Sequence, residues 1–319
     1  MKIPYTIFFL LTFFFLNKLH AQSSFKNEFG FQSDNDAYLA TTQDRYYTNG
    51  LSITFRHATD QSQLNKKLNK KIWEAEFGHK MYNAQSGQIT NIDDVDRPFA
   101  AYMYVGGGLN WLYNSENSLK LSVHAGTIGP AALGKEVQEL LHRIVGFYEI
   151  KGWEYQVNNE FGINSTVSYN HFIHRNKANN TDFTLMSYLN AGNTFTGAGA
   201  GLLFRTGFIN QLFNSVSTNS IIANNSSTAP LNKKEFFFFI KPSLHLVAYD
   251  ATVRGGLFIK DKGAVTYGTK PLVFSQELGL NFAKNRWTMN FGVTFKSKEI
   301  KSSAKAHQYG AATIYYRMN

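Results

Sequence analysis

The sequence predicts an all-β protein, an antiparallel transmembrane β-barrel of about 12 strands with a short helix in an extracellular loop. Three observations predict it. The chain opens on an export signal, apolar and polar residues then alternate with period two almost to the last residue, and many alternating runs reach the ~9–11 residues that a tilted strand needs to cross a bilayer.

The opening "MKIPYTIFFLLTFFFLNKLHAQ" has a single Lys2, an apolar run from Ile3 to Leu16 and a short polar "NKLHA" before Gln22, the layout of a secretory signal peptide. The run falls short of the ~20 apolar residues of a membrane-spanning helix, and Ala21 suits a cleavage site. Residues 1–21 are therefore assigned to the signal peptide and 22–319 to the barrel. No later segment reads as a membrane helix; "FFFFI" at 236–240 covers one short strand. Without cysteine, an exported chain of this length must be stabilised by something other than disulfides, and a closed barrel serves. The formal charge of +10 suits an anionic lipid surface, whereas nucleic acid is no partner for an exported protein.

Strands are expected near 24–33, 48–58, 71–81, 101–112, 118–127, 153–169, 182–193, 199–208, 235–249, 272–283, 286–298 and 307–318. In "RWTMNFGVTFK", Trp287, Met289, Phe291, Val293 and Phe295 oppose Thr288, Asn290, Gly292, Thr294 and Lys296. In "WEYQVNNEFGINSTVSY", Trp153, Tyr155, Val157, Phe161, Ile163, Val167 and Tyr169 are expected on one face. Aromatic residues gather near strand ends, as Tyr46, Tyr47, Trp111, Tyr113, Tyr315 and Tyr316 do, which favours a barrel in a membrane over a soluble sandwich. "VGGGL" at 105–109 reads as a kink, "GAGAGLLFRTG" at 197–207 as small residues in a strand, and "TVRGGLFIK" at 252–260 as loop broken by Gly255 and Gly256.

With both termini in the periplasm, connections 34–47, 82–100, 128–152 and 250–271 fall outward and are long, while 113–117 and 284–285 are tight inward turns. The Asn/Ser-rich 209–234 breaks this scheme, because it is long and falls inward. "GPAALGKEVQELLHRIVG" has Leu133, Val137, Leu140, Leu141 and Ile144 at helical spacing and predicts an amphipathic helix in the third outward loop.

Parity brings distant residues to one rim: Asn35 and Asp36 in the first outward loop, Thr48 at the outer end of strand two, Lys80 at that of strand three, and the helix above strand five. Lys80 is expected to point into the barrel with Glu74 and Glu76, and His79 toward the lipid as an interfacial residue. Gln138 and His142 stand one turn apart and share a helix face. A lone helical histidine is more often a surface residue than a catalyst, and Asp, Asn and Thr are ordinary turn residues; Asp34, Gln43 and Asp44 read as plain loop. "DND" lacks the spacing of an EF-hand, but oxygen ligands without cysteine suit a hard cation such as Ca²⁺ better than zinc. No G-x-S-x-G elbow occurs.

In order along the chain, "DND", "YTNG", "GHKMYN", "DRPFAAY", "GTIGP", the Gln138/His142 pair before Gly146, "GWEYQVNNE", "GNTFTGAGAGLLFRTG" and "HQYGAATI" resemble the outer-membrane lipid A 3'-O-deacylases. The resemblance covers nearly all of the mature chain. It implies a monomeric barrel of twelve strands in the bacterial outer membrane, with its active site between the outer barrel wall and a loop helix, and Ca²⁺-dependent removal of the 3'-linked acyloxyacyl chain of lipid A. Carried over by motif, the functional positions are Asn35, Asp36, Thr48, Lys80, Gln138 and His142. His142 is implied as general base, Asp36 and Asn35 as metal ligands, Thr48 as completing the shell or orienting the ester, and Lys80 as binding a phosphate or neutralising the oxyanion. Two alternatives keep the barrel: an outer-membrane phospholipase, for which no Ser/His/Asn set is visible, and a non-enzymatic pore or adhesin.

Overall fold

A computed structural model describes residues 25–39 and 44–319, so the expected signal peptide and Gln43 lie outside the described residues. Twelve antiparallel strands close into a barrel in chain order, with β1 hydrogen-bonded to both β2 and β12. They are β1 (Asn27–Asn35), β2 (Tyr46–Ala58), β3 (Leu68–Asn83), β4 (Ala100–Tyr113), β5 (Ser118–Ile128), β6 (Glu160–Arg175), β7 (Thr181–Gly192), β8 (Phe195–Phe208), β9 (Lys234–Asp250), β10 (Leu272–Lys284), β11 (Trp287–Lys296) and β12 (His307–Met318). Helix α1 (Gly134–Val145) lies in the β5–β6 connection, and a single turn, α2 (Ala251–Arg254), follows β9.

The period-two pattern becomes two chemically different surfaces. On the outside, Phe31, Ile53, Phe77, Val105, Ala125 and Ile163 form one row of paired residues across six strands. All but Ala125 are large and exposed, as a lipid-facing band requires. Facing inward, Arg56 is buried against Glu28 at 3.0 Å and Glu74 at 3.2 Å, with its guanidinium 4.5 Å from the Tyr315 ring centre. Lys120 also reaches Glu74, at 2.5 Å.

Two expectations along the strands need correction. "VGGGL" does not kink β4, whose register with β3 and β5 runs unbroken through Gly106, Gly107 and Gly108. The glycines give room instead: a Cβ on Gly106 would lie 2.2 Å from the His124 ring. Strand β6 begins at Glu160 and not at residue 153, because Gly152 adopts a left-handed φ of 115° and 153–155 form a 3-10 turn. Trp153 and Val157 are buried under the outer loops and do not face lipid.

The inward 209–233 connection folds back into the barrel. Phe213 and Ile222 pack on the lumen-facing Ala58, Ile72 and Leu112. Lys70 Nζ donates to Asn214 Oδ1 at 2.6 Å and to the Ser220 carbonyl at 2.7 Å, and Asn110 donates to the Thr218 carbonyl at 3.1 Å. A long Asn/Ser-rich stretch fits here because it can satisfy buried polar wall residues with its own amides and carbonyls. At the other end, the buried Arg97 lies 4.2 Å from the Tyr82 ring centre and donates to Thr252 Oγ1 at 2.9 Å. A cavity of about 520 Å³ remains in the lumen between them. The folded protein is therefore expected to carry no stable single-channel current in planar bilayers; sustained ohmic current would show that the inward segment leaves the lumen.

Candidate active site

At the end of β1 the chain turns out of the barrel wall. Asn35 Oδ1 accepts the Ala37 N–H at 2.7 Å, starting the 3-10 turn over Asp36–Leu39. This buries Asp36, whose Oδ2 accepts the Arg45 N–H at 2.9 Å. The β2–β3 register then shifts between Tyr47 and Asn49, leaving Thr48 as the extra residue of a bulge. Its hydroxyl reaches Asp36 Oδ1 at 3.4 Å and also donates to Asp44 Oδ1.

Asp44, which the sequence reading treated as plain loop, is the hub. Its Oδ2 accepts from Gln138 Nε2 at 2.8 Å and from the Tyr148 hydroxyl at 2.9 Å, and lies 3.1 Å from His142 Nε2. Asn83 Nδ2 donates to its Oδ1 at 3.2 Å. Burial alone would raise the Asp44 carboxyl, but hydrogen bonds from His142, Thr48 and Tyr148 outweigh it and hold the group below the ordinary carboxylate range. Asp36 goes the other way: burial, joined by the charge of Asp44, pushes it up to about 7.

Helix α1 supplies the other half of the site. Gly134 lets it approach the wall, since a Cβ there would lie 2.3 Å from the Trp153 ring and 2.5 Å from Ala101. Val137 and Leu141 pack with Met81, Ala101, Met103 and Trp153, so the helix lies against the outer face of β3 and β4. Trp153 Nε1 donates to Gln138 Oε1 at 2.9 Å, which turns the Gln138 amide nitrogen toward Asp44. His142 Nδ1 lies 2.9 Å from the Tyr148 carbonyl, an acceptor only, so Nδ1 carries a proton and Nε2 faces Asp44. Burial pulls the imidazole down, but Asp44 and the Tyr148 carbonyl prevail and raise its pKa above the ordinary value.

The structure thus brings Asp36, Thr48, Gln138 and His142 together around Asp44, and Asn35 shapes the turn that holds Asp36. Lys80 is not brought there. Its register puts it on the lumen face, where it lines the cavity with its ammonium 5.8 Å from the Tyr104 ring centre. Asp34, which accepts from the Tyr47 hydroxyl at 2.7 Å, points to that same side. His79 keeps its lipid-side register but is buried, with Nε2 2.6 Å from the Ala132 carbonyl, and pins the loop before α1 to the wall. Sequence reasoning missed Asp44, Asn83, Tyr148 and Trp153; only the proximity of Asp44 to Thr48 and of Tyr148 to His142 hinted at two of them.

Among the described residues no three His, Cys, Asp or Glu side chains are grouped to hold a metal. The donors near the hub are oxygens: the Asp36 and Asp44 carboxylates and the Thr48 hydroxyl. Asn49 Oδ1 and Asn83 Oδ1, on the same outward face, are buried without a hydrogen-bond partner. Two neighbouring carboxylates among neutral oxygens fit a hard cation and do not fit a soft one.

A family model described as outer membrane protein LpxR matches residues 7–318. The chain belongs to the LpxR family of outer membrane proteins. LpxR from Salmonella typhimurium has the same barrel: 18% identity over 91% of this chain and 100% of that one, with a TM-score of 0.69. More distant barrels include the β domain of the Bordetella autotransporter BrkA, at 8% identity over 92% and 99% of the two chains and a TM-score of 0.49. The translocator domain of NalP from Neisseria meningitidis is 10% identical over 94% and 90%, with a TM-score of 0.45. No curated protein matches the sequence. As an LpxR family member the chain is an outer membrane protein, and its histidine–carboxylate pair stands on the outside of the wall.

Proposed function

We propose that this protein is a Ca²⁺-dependent ester hydrolase that removes the 3'-linked acyloxyacyl chain from lipid A in the outer membrane. The observation that carries the reading is the place of the Asp44–His142 pair: on the lipid side of the wall, just above the apolar band. Asn35 and Asn49 pair with each other four residues beyond the Phe31–Ile53 pair, about 13 Å along the strands at ~3.3 Å per residue. With strands tilted by roughly 40°, that is about 10 Å along the membrane normal, a depth at which lipid headgroups and ester linkages would lie beside the pair. A pore would place its chemistry in the lumen.

The chain's own groups suit water attack on an ester. In its neutral form, with Nδ1–H fixed by the Tyr148 carbonyl, His142 would use Nε2, released from its hydrogen bond to Asp44, to take a proton from water as the water oxygen bonds to the carbonyl carbon. The Asp44 carboxylate stabilises the imidazolium, which then gives its proton to the departing alkoxide as the carbon–oxygen bond breaks. Gln138, steadied by Trp153, keeps Asp44 in place. Asp36 and Asp44, with the Thr48 hydroxyl, would hold the cation, and Asn35 would act by positioning Asp36. When bound, Ca²⁺ supplies positive charge for the oxyanion. Lys80, on the lumen face beside Asp34, is assigned a part in the electrostatics of the wall and no contact with the ester.

Lipid A mass spectrometry on membranes bearing the folded protein tests this. The expected result is loss of the 3'-acyloxyacyl mass with Ca²⁺ and none after chelation. Unchanged lipid A with folded protein and Ca²⁺ would sink the reading, and release of fatty acid from defined glycerophospholipid would move the substrate to that class.

A further inference from the structure

Helix α1 has an apolar flank that the barrel leaves uncovered. Val137 and Leu141 pack on the wall and Gln138 and His142 serve the site, but Leu140 is 51% exposed and Ile144 71%, and Phe147 just beyond the helix is 57% exposed. Leu133 before the helix is exposed as well. Leu140 and Ile144 are one turn apart, so they form a stripe, while the charged Lys135, Glu136, Glu139 and Arg143 occupy a different flank. A solvated loop helix has no use for such a stripe.

The neighbouring surface says what covers it. The helix covers Met103 and lies next to His79 on the row Leu51, His79, Met103, Thr127, Phe161. At the end of that row, beyond the helix, Phe161 is 64% exposed on the lipid face. One step down the strands, Phe77 and Val105 belong to the exposed apolar band. The helix therefore lies on the lipid side of the wall, one step along the strands from the exposed apolar band.

We infer that α1 is a membrane-interface helix whose Leu140, Ile144 and Phe147 sit among the outermost acyl segments of the outer leaflet. The helix is thereby held at the bilayer surface, with the wall-packing Val137 and Leu141 between this stripe and His142 on the far flank. The inference concerns bilayer contact and stands apart from the ester chemistry.

Because the chain contains no cysteine, a single Ile144→Cys substitution can carry an environment-sensitive fluorophore on the whole barrel refolded into phosphatidylcholine vesicles. Lys135→Cys, on the charged flank, is the matched control. Lipids brominated near the headgroup end of the chain are expected to remove about half or more of the emission at position 144 and little at 135, since an interfacial helix buries its apolar face about 5–10 Å into the headgroup and acyl boundary. Equal, weak quenching at both positions with a water-like spectrum would overturn the inference. So would an apolar spectrum at 144 that brominated lipid fails to quench, which would mean that protein, such as a second copy of this chain, covers the flank.

Discussion

His142→Ala is expected to reduce acyl-chain release from lipid A by about 10²–10⁴-fold, the usual contribution of a positioned general base, while the barrel still folds. The helix loses one side chain that is not part of its apolar packing against the wall, so heat-modified migration on a gel should match the parent protein. Asp44→Asn is the sharper variant. It preserves shape but removes the charge that faces Nε2 at 3.1 Å, and its NH2 meets donors in either orientation: Gln138, Tyr148 and His142 on one side or Thr48 and Asn83 on the other. Its loss of activity is expected to be on the order of 10²-fold or more, as when the carboxylate of a histidine pair is made neutral elsewhere. The two variants should part on cation binding: Asp44→Asn weakens it and His142→Ala leaves it intact, read as terbium luminescence sensitised by Tyr148 and Trp153. Parent-level deacylation by Asp44→Asn would remove Asp44 from the site.

The barrel was legible because a membrane imposes one rule on every strand. Lipid on one side and a polar lumen on the other force strict alternation, and the strand ranges read from it agree closely with the observed ones at eleven of the twelve elements. The exception, β6, shows the limit of the rule. Trp153, Tyr155 and Val157 alternate as a strand would, but their apolar side chains serve the rim, where loops pack on loops and period two has no meaning. The same limit hid the hub of the site. "DND" and "QDRYYTNG" offer three carboxylates of equal promise, Asp34, Asp36 and Asp44, and which one turns toward α1 depends on a bulge at Thr48 and on a helix almost a hundred residues away. Register alone makes His79 an exposed interfacial residue on the lipid side, because no local pattern says that the turn before α1 will cover it. Lys80 shows the converse: parity correctly turned it inward, and inward means away from His142 once the helix is known to lie outside the wall. As for the 209–233 connection, its polar composition was plain, but its partners are lumen residues of β3 and β4 that no linear pattern connects to it.

That connection supports the prediction with the largest expected effect on stability. Arg205 is fully buried and binds Asp182 with two hydrogen bonds, at 2.9 and 2.6 Å. Its remaining nitrogen donates to Ser215 Oγ at 2.6 Å and Ser217 Oγ at 2.7 Å, so one guanidinium ties β7 and β8 to the inward segment. Glu235 accepts from Asn210 N, Ser215 Oγ and Val216 N, and Arg175 bridges Asp182 to Glu116. Arg205→Ala leaves Asp182 and Glu235 buried with Arg175 as the remaining cation of the cluster, and removing one partner of a buried pair costs about 3–5 kcal/mol. The urea midpoint of the refolded barrel should fall accordingly. Asp182→Ala made alone should cost about as much by the same reasoning, and the double variant should cost less than the two losses added, by about 0.5–3 kcal/mol, because the second change removes a charge already stranded. Full additivity would mean that the two groups are separately solvated. Loss of Arg205 should also loosen the inward segment, so a channel current that appears in Arg205→Ala and is absent in the parent protein would tie the stability of this cluster to closure of the lumen.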